Sequence, residues 1–243
     1  MIKSIAVLTS GGDAPGMNAA IRAVVRSGIK NGLKTFVVYE GYKGLVEGNI
    51  HKIDRSGVSE IISHGGTILK SARLPGFKDE AVRKKAVAQL KKHHIDALVC
   101  IGGDGTYMGA KKLTEMGINC IGVPGTIDND IASTDYTIGF DTALNTIIEC
   151  TDKIRDTTES HSRCSIIEVM GRHCGDLALF SGIAEGVDMI ITPDHPISDD
   201  DIIANLKEWK KANKQHVMII ISENIYPDTR ILNDKIQKET GYE

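Results

Sequence analysis

The 243-residue sequence predicts an α/β fold on parallel sheets, and three observations carry that prediction. Short apolar runs alternate with amphipathic helical stretches along the whole chain. Several of the runs are apolar throughout, as expected of strands with helices on both faces. Glycine-rich segments bearing acidic side chains follow directly on strand ends, where open α/β sheets place their ligands.

In chain order, strands are expected at residues 5–9, 35–39, 97–101, 120–123, 165–170, 189–192 and 217–222. Helical patterns lie near residues 18–30, 79–93, 107–116, 142–157, 176–184, 199–212 and 229–239. Such alternation implies right-handed crossovers between parallel strands. No linker or short repeat interrupts it. A boundary is expected at the Thr137-Ile138-Gly139-Phe140-Asp141 segment, which follows a long loop and leads into a helix. It gives two Rossmann-like α/β halves, residues 1–138 and 139–243, with the active site in the cleft between them.

Hydrophobic residues make up 41% and charged residues 25% of the chain, and the net charge is −3. That balance gives no general attraction to nucleic acid or to an anionic membrane. No apolar run approaches the ~20 residues of a membrane span. Met1-Ile2-Lys3-Ser4 runs straight into a strand, leaving no room for a signal peptide, so a cytoplasmic location is expected. Five cysteines (Cys100, Cys120, Cys150, Cys164, Cys174) show no C-x-x-C pair, which points to reduced thiols. His161, Cys164, His173 and Cys174 lack the spacing of a zinc site.

Two segments carry the chemistry. Gly103-Asp104-Gly105-Thr106 and Pro124-Gly125-Thr126-Ile127-Asp128-Asn129-Asp130 both read as loops leaving buried strands. Glycines let the backbone approach phosphates, and the acids suit Mg²⁺ or a proton. Asp104 is the candidate magnesium ligand. Asp128 and Asp130, two residues apart in an extended segment, would point the same way, one taking a hydroxyl proton and the other lying near the metal. Together these features indicate phosphoryl transfer.

The segment Thr9-Ser10-Gly11-Gly12-Asp13-Ala14-Pro15-Gly16-Met17-Asn18 offers backbone N–H groups and a helix start to a phosphate. Gly11 and Gly16 have Walker A spacing, but Met17 and Asn18 replace its Lys and Ser/Thr, so the P-loop reading fails. Gly102 to Thr106 also misses the dinucleotide fingerprint, because the next glycine is Gly109. Positive charge must come from arginines such as Arg73, Arg163 and Arg172, the last flanked by Gly171 and Gly175. Arg22 and Arg26, four apart on one helix face, together with Arg55 and Arg155, read from spacing as solvated basic groups. Lys207, Lys210, Lys211 and Lys214 read as an exposed helix edge.

With these residues laid out, the chain resembles the ATP-dependent 6-phosphofructokinases of bacterial type along its whole length. The resemblance rests on four runs: Leu8 to Arg22, Gly102 to Tyr107, Pro124 to Asp130 and Glu168-Val169-Met170-Gly171-Arg172. It implies transfer of the γ-phosphoryl group of Mg-ATP to the 1-hydroxyl of fructose 6-phosphate. Gly12, Arg73, Leu74, Gly103, Asp104, Gly105 and Thr106 would hold ATP, with Asp104 on Mg²⁺. Asp128 would be the base, with Thr126 and Arg172 stabilising the transferring group. Thr126, Ile127, Asp128, Met170, Gly171, Arg172 and Glu223 would contact the sugar phosphate, and Arg163 would reach it from a neighbouring subunit of a homotetramer.

The resemblance also recasts Arg22, Arg26, Arg55 and Arg155, with Gly186, Val187, Asp188, Lys214, Gln215 and His216, as an allosteric nucleotide site. Pyrophosphate-dependent relatives carry Asp at the position of Gly105 and Lys at that of Gly125, so two glycines favour ATP. Family members continue past the position of Glu243 with a segment carrying a His and arginines that clamp the sugar 6-phosphate. The half at 139–243 is therefore expected to be an incomplete sugar-phosphate domain. A nucleotide-binding fragment without turnover and an NAD or lipid kinase sharing GGDGT are the alternatives.

Overall fold

The computed structural model of the chain describes residues 2–243. They form two compact units, one of residues 2–127 with Ile131–Gly139 and the other of Asp128–Asp130 with Phe140–Glu243.

The first unit contains β1 (Ser4–Ser10), α1 (Met17–Lys30), β2 (Lys34–Val38), α2 (Gly41–Glu47), β3 (Ile50–Lys52), α3 (Glu80–Lys92), β4 (Ala97–Gly102), α4 (Asp104–Glu115), β5 (Asn119–Thr126) and β6 (Ile138–Gly139). Its six strands lie in the order β3-β2-β1-β4-β5-β6. All neighbours are parallel except β2 and β3. The chain leaves β1 for β2 on one side, while β4 lies on the other. This order reversal puts the carboxyl ends of β1 and β4 at a switch point.

Alternate residues of the central strands fill two cores. Leu8, Leu98 and Cys100 pack with Leu45, Leu90 and Leu113 on one face. Val7 and Ile101 pack with Met17, Ile21 and Val25 on the other. Each of these aliphatic side chains is wholly buried, and full burial of a Leu or Ile contributes roughly 1.5–3 kcal/mol. Two covered faces explain why these strands read as unbroken apolar runs.

The second unit contains α5 (Phe140–Ser160), β7 (Cys164–Val169), α6 (Asp176–Glu185), β8 (Met189–Ile191), α7 (Asp199–Lys211), β9 (Val217–Ser222) and α8 (Thr229–Thr240). Its parallel sheet runs β7-β9-β8. Ile191, Ile202, Leu206, Ile219, Leu232 and Tyr242 form the core. Among the described residues no helix is long and apolar enough to cross a membrane.

Several local expectations change. Helix α4 starts at Asp104, not at 107, so the segment read as a loop is a first helical turn. Strand β5 runs on through Pro124 and Gly125 to Thr126, where a loop was expected. The antiparallel strand β3, which pairs with β2 after the chain passes through α2, makes the first sheet mixed, and α2 was not anticipated. Helix α2 is seven residues long with two glycines, and its Gly44 sits so close to the Tyr39 carbonyl that no side chain fits. Packing, not periodicity, fixes it there.

Candidate active site

In the first unit, the segment after β1 and the start of α4 meet at the ends of adjacent strands. The Thr106 hydroxyl donates to the Ser10 carbonyl at 2.8 Å, and the Tyr42 hydroxyl donates to the Thr106 carbonyl at 2.6 Å. Gly102 approaches Ser10 and Thr106 too closely for any side chain. Thr106 is buried, and its N–H is bonded to the Gly103 carbonyl at 2.9 Å. It therefore fixes the turn rather than offering its hydroxyl to a ligand. The N–H groups of Asp104 and Gly105 lead the helix, and the first N–H groups of a helix lack intrahelical acceptors. The helix start favours an anion there.

Gly12 and Gly105 are exposed, and a Cβ at either would meet no protein atom. Neither has a left-handed backbone, so nothing in the fold requires glycine at these two positions. Gly125 differs. A Cβ there would lie 3.0 Å from Ile101 Cγ2 and 3.4 Å from Met17 Cε. A side chain at 125 would require these neighbours to give by a few tenths of an ångström, so Gly105, where nothing intervenes, speaks more directly to the identity of the donor.

A strap of residues 64–71 is pinned beside these loops. Asn18 is buried and donates to the carbonyls of His64 and Gly65 at 3.0 and 3.2 Å, while its oxygen accepts from Ile68 N–H at 2.8 Å. Thr9 Oγ1 lies 2.9 Å from Thr67 Oγ1 and donates to the Lys70 carbonyl at 3.0 Å. The Ser71 hydroxyl donates to the Gly11 carbonyl. The strap carries the chain to Arg73, which is exposed, and to Leu74, which packs against the core. Asn18 thus uses the position of a P-loop hydroxyl for scaffolding.

Asp104 is an exposed carboxylate. No group of three or more His, Cys, Asp or Glu side chains able to hold a metal occurs among the described residues. One carboxylate beside open space suits Mg²⁺, which is held by one or two carboxylates plus substrate phosphates and water.

In the second unit, Asp128 is buried, with a side chain 10% exposed. Arg172 faces it, Nε lying 4.0 Å from Asp128 Oδ2 and Nη1 3.7 Å from Asp130 Oδ2. The two carboxylates do not converge through extended alternation as expected, because Asn129 between them is left-handed at φ 54°. Arg172 is itself left-handed at φ 54°, uncommon outside glycine and asparagine. Its N–H and that of Gly171 both donate to Glu223 Oε1, at 2.8 and 3.0 Å. Glu223 follows directly on β9, and its own N–H donates to the Val169 carbonyl at 2.8 Å. A Cβ on Gly171 would sit 2.5 Å from the Cys174 carbonyl. This Met-Gly-Arg turn exposes the side chains of Met170 and Arg172.

Thr126 and Ile127 end the first of the two segments that make up the first unit, and the Thr126 carbonyl accepts from the Thr137 hydroxyl at 2.6 Å. Both residues are half-buried, Ile127 against the core. Arg163, in the second unit, lies 3.4 Å from Glu243 Oε2. Burial raises the Cys174 thiol above its ordinary range and keeps it protonated.

The remaining basic residues separate by environment. Arg22 and Arg26 are half-buried on α1, and Arg26 Nε is buried without a hydrogen bond. Arg55 is exposed in a turn held by Asp54, whose carboxyl lies below its usual range through the Ser56 hydroxyl and the Gly57 N–H. Arg155 Nη2 lies 3.0 Å from Glu185 Oε2, beside Gly186, the left-handed cap of α6, and half-buried Val187. Asp188 accepts from Met218 N–H at 2.9 Å and pairs with Lys214 at 2.5 Å. Gln215 bonds back to Asn213, and His216 is half-buried. Lys214 is therefore not part of a helix edge, since α7 ends at Lys211. Lys207 and Lys210 engage Glu239 and the Thr240 carbonyl of α8.

Sequence reasoning missed Thr9, Asn18 and Ser71 as organisers of the loops after β1. A buried asparagine at the Walker position was the available signal for them.

The phosphofructokinase family profile matches residues 4–243. The ATP-dependent 6-phosphofructokinases of Aliivibrio salmonicida and Vibrio parahaemolyticus are each 58% identical over 243 residues, covering all of this chain and 76% of theirs. Phosphofructokinase from Saccharomyces cerevisiae has a TM-score of 0.89 at 38% identity, over 99% of this chain and 37% of that one. The Pichia pastoris enzyme in its T-state gives 0.90 at 39%, over 100% and 29%. A pyrophosphate-dependent phosphofructokinase from Marinobacter aquaeolei, 22% identical with a TM-score of 0.80, shares the fold.

Proposed function

This chain belongs to the phosphofructokinase family, and we propose that it moves the γ-phosphoryl group of Mg-ATP to the 1-hydroxyl of fructose 6-phosphate. The observation that carries this reading is Asp128, a buried carboxylate held beside the guanidinium of Arg172, whose backbone Glu223 locks. A carboxylate so placed can take the proton of an attacking hydroxyl. The alcohol oxygen then bonds to the γ-phosphorus, the bond to the β–γ bridging oxygen breaks, and ADP leaves. Arg172 and the Thr126 hydroxyl are the groups assigned to stabilise the charge that develops on the transferring group. Mg²⁺ on Asp104, when bound, neutralises phosphate charge.

On this reading Gly12, Gly103, Gly105, Arg73 and Leu74 accommodate the nucleotide, with Thr106 holding their turn. Ile127, Met170, Gly171 and Glu223 shape the sugar side, and Arg163 serves a neighbouring subunit of a homo-oligomer in the cytoplasm. The open space at Gly105 supports ATP as donor. The test is a coupled assay with fructose 6-phosphate and either ATP or pyrophosphate at matched concentration. ATP should support turnover; a faster reaction with pyrophosphate overturns the donor assignment, and phosphorylation of NAD instead overturns the acceptor.

A nucleotide effector is proposed for Arg22, Arg26, Arg55, Arg155, the turn at 186–188 and residues 214–216. The buried, unsatisfied Nε of Arg26 supports it. Arg22→Ala should weaken effector binding while leaving basal turnover intact; an equal loss of both would assign the arginine to folding.

A further inference from the structure

We propose that Asp176, a residue with no role in the reading above, is a positioning residue that sets the geometry of Asp128 by holding Asn129. The inference rests on the assignment of Asp128 as the base. Asn129 lies between the two carboxylates that face Arg172, in the left-handed conformation at φ 54°. Its Nδ2 donates to Asp176 Oδ2 at 2.7 Å, a charge-assisted bond across 47 residues of sequence. The Asn129 carbonyl faces Cys174 Sγ at 4.0 Å. The short Asp128–Asp130 segment is therefore gripped by the same turn-and-helix element that carries Arg172.

Asp176 is suited to that task by its place in the fold. It opens α6, where the helix start stabilises an ionised carboxylate. Gly175 before it is packed so closely on Thr192 that it takes no side chain, which fixes the start of the helix. The base and the guanidinium are thus referenced to one rigid feature. Losing that reference would leave both side chains present and misaligned. An error of about 1 Å at a reacting group lowers turnover by about 10²-fold.

The test compares Asp176→Ala, Asn129→Gly and their combination in the intact chain, with wild type as control. Glycine tolerates the left-handed backbone while deleting the amide. Each single variant should lower kcat about 10²-fold with KM for both substrates little changed, and the double variant should be no worse than either. In an Asp128→Asn background, Asp176→Ala should produce no further loss. Additive losses, or an equal further loss in that background, overturn the proposal and make Asp176 merely structural. A ¹³C measurement of the Asp128 carboxyl provides a readout independent of turnover. Its titration should move on Asp176→Ala, and an unmoved titration refutes the positioning role. If wild type fails to phosphorylate fructose 6-phosphate, the functional reading falls, and the carboxyl titration still decides whether Asp176 orients Asp128.

Discussion

The two candidate regions are organised by opposite means. In the first unit, the loops after β1 and at the start of α4 are held by neutral hydrogen bonds from Thr9, Asn18, Ser71, Thr106 and Tyr42, with glycine leaving space around them. In the second, charged groups do the holding, with Glu223 on the Met-Gly-Arg turn, Asp176 on Asn129, and Arg172 facing Asp128 and Asp130. A region that must admit a polyanion leaves its backbone donors and its space open. A region that must place a base against a guanidinium fixes each with another charge.

The sharpest way to break this contrast is at Asp128. Asp128→Asn should lower kcat by roughly 10²–10⁴-fold, the usual worth of a positioned base, with ATP affinity little altered. Near-normal turnover in a coupled assay would remove the base from the second region altogether. Next is Glu223→Ala, which strips two backbone N–H groups of a charged acceptor. Charge-assisted bonds contribute about 1.5–3 kcal/mol each, so sugar-phosphate affinity should fall at least about tenfold while ATP binding holds. Equal weakening of both ligands in calorimetry would show that the regions are not separately organised.

Gly105→Val sharpens the other side. Because a Cβ there meets nothing, the thermal midpoint should stay within what ~0.5 kcal/mol produces while ATP binding weakens. A destabilised variant with unchanged ATP affinity would contradict the idea that the space belongs to a ligand. The smallest effect is expected from Ser71→Ala, which removes one neutral bond to Gly11. About 1 kcal/mol of stability should be lost, with a modest rise in KM for ATP alone.

The sheets were legible in the sequence because strands covered on both faces leave uninterrupted apolar runs, as in β4 and β9. The chemistry was legible for a related reason: glycines and acids collect where those runs end. Helix α2 was not, since seven residues with two glycines carry no period. The start of α4 was missed because Gly103-Asp104-Gly105 looks like a loop, yet an acid in a first turn is favourable to a helix. Asp128 could be singled out from its loop, but its geometry could not. That geometry depends on a left-handed Asn129 and on Asp176, 47 positions away, and no local spacing reports either. The residues proposed for an effector stood out through resemblance only, and the Asp188–Lys214 pair cannot be seen in spacing at all.

The empty surroundings of Gly105 have one practical consequence. A residue that is exposed, backbone-unstrained and untouched by its neighbours is a natural attachment point for a reporter. A Gly105→Cys variant, labelled with a small environment-sensitive fluorophore after the exposed Cys150 is replaced, would carry its dye at the first turn of α4. Because bulk at 105 is expected to weaken ATP binding, the labelling rate itself is the readout: bound nucleotide should slow it, separately from any event on the sugar side.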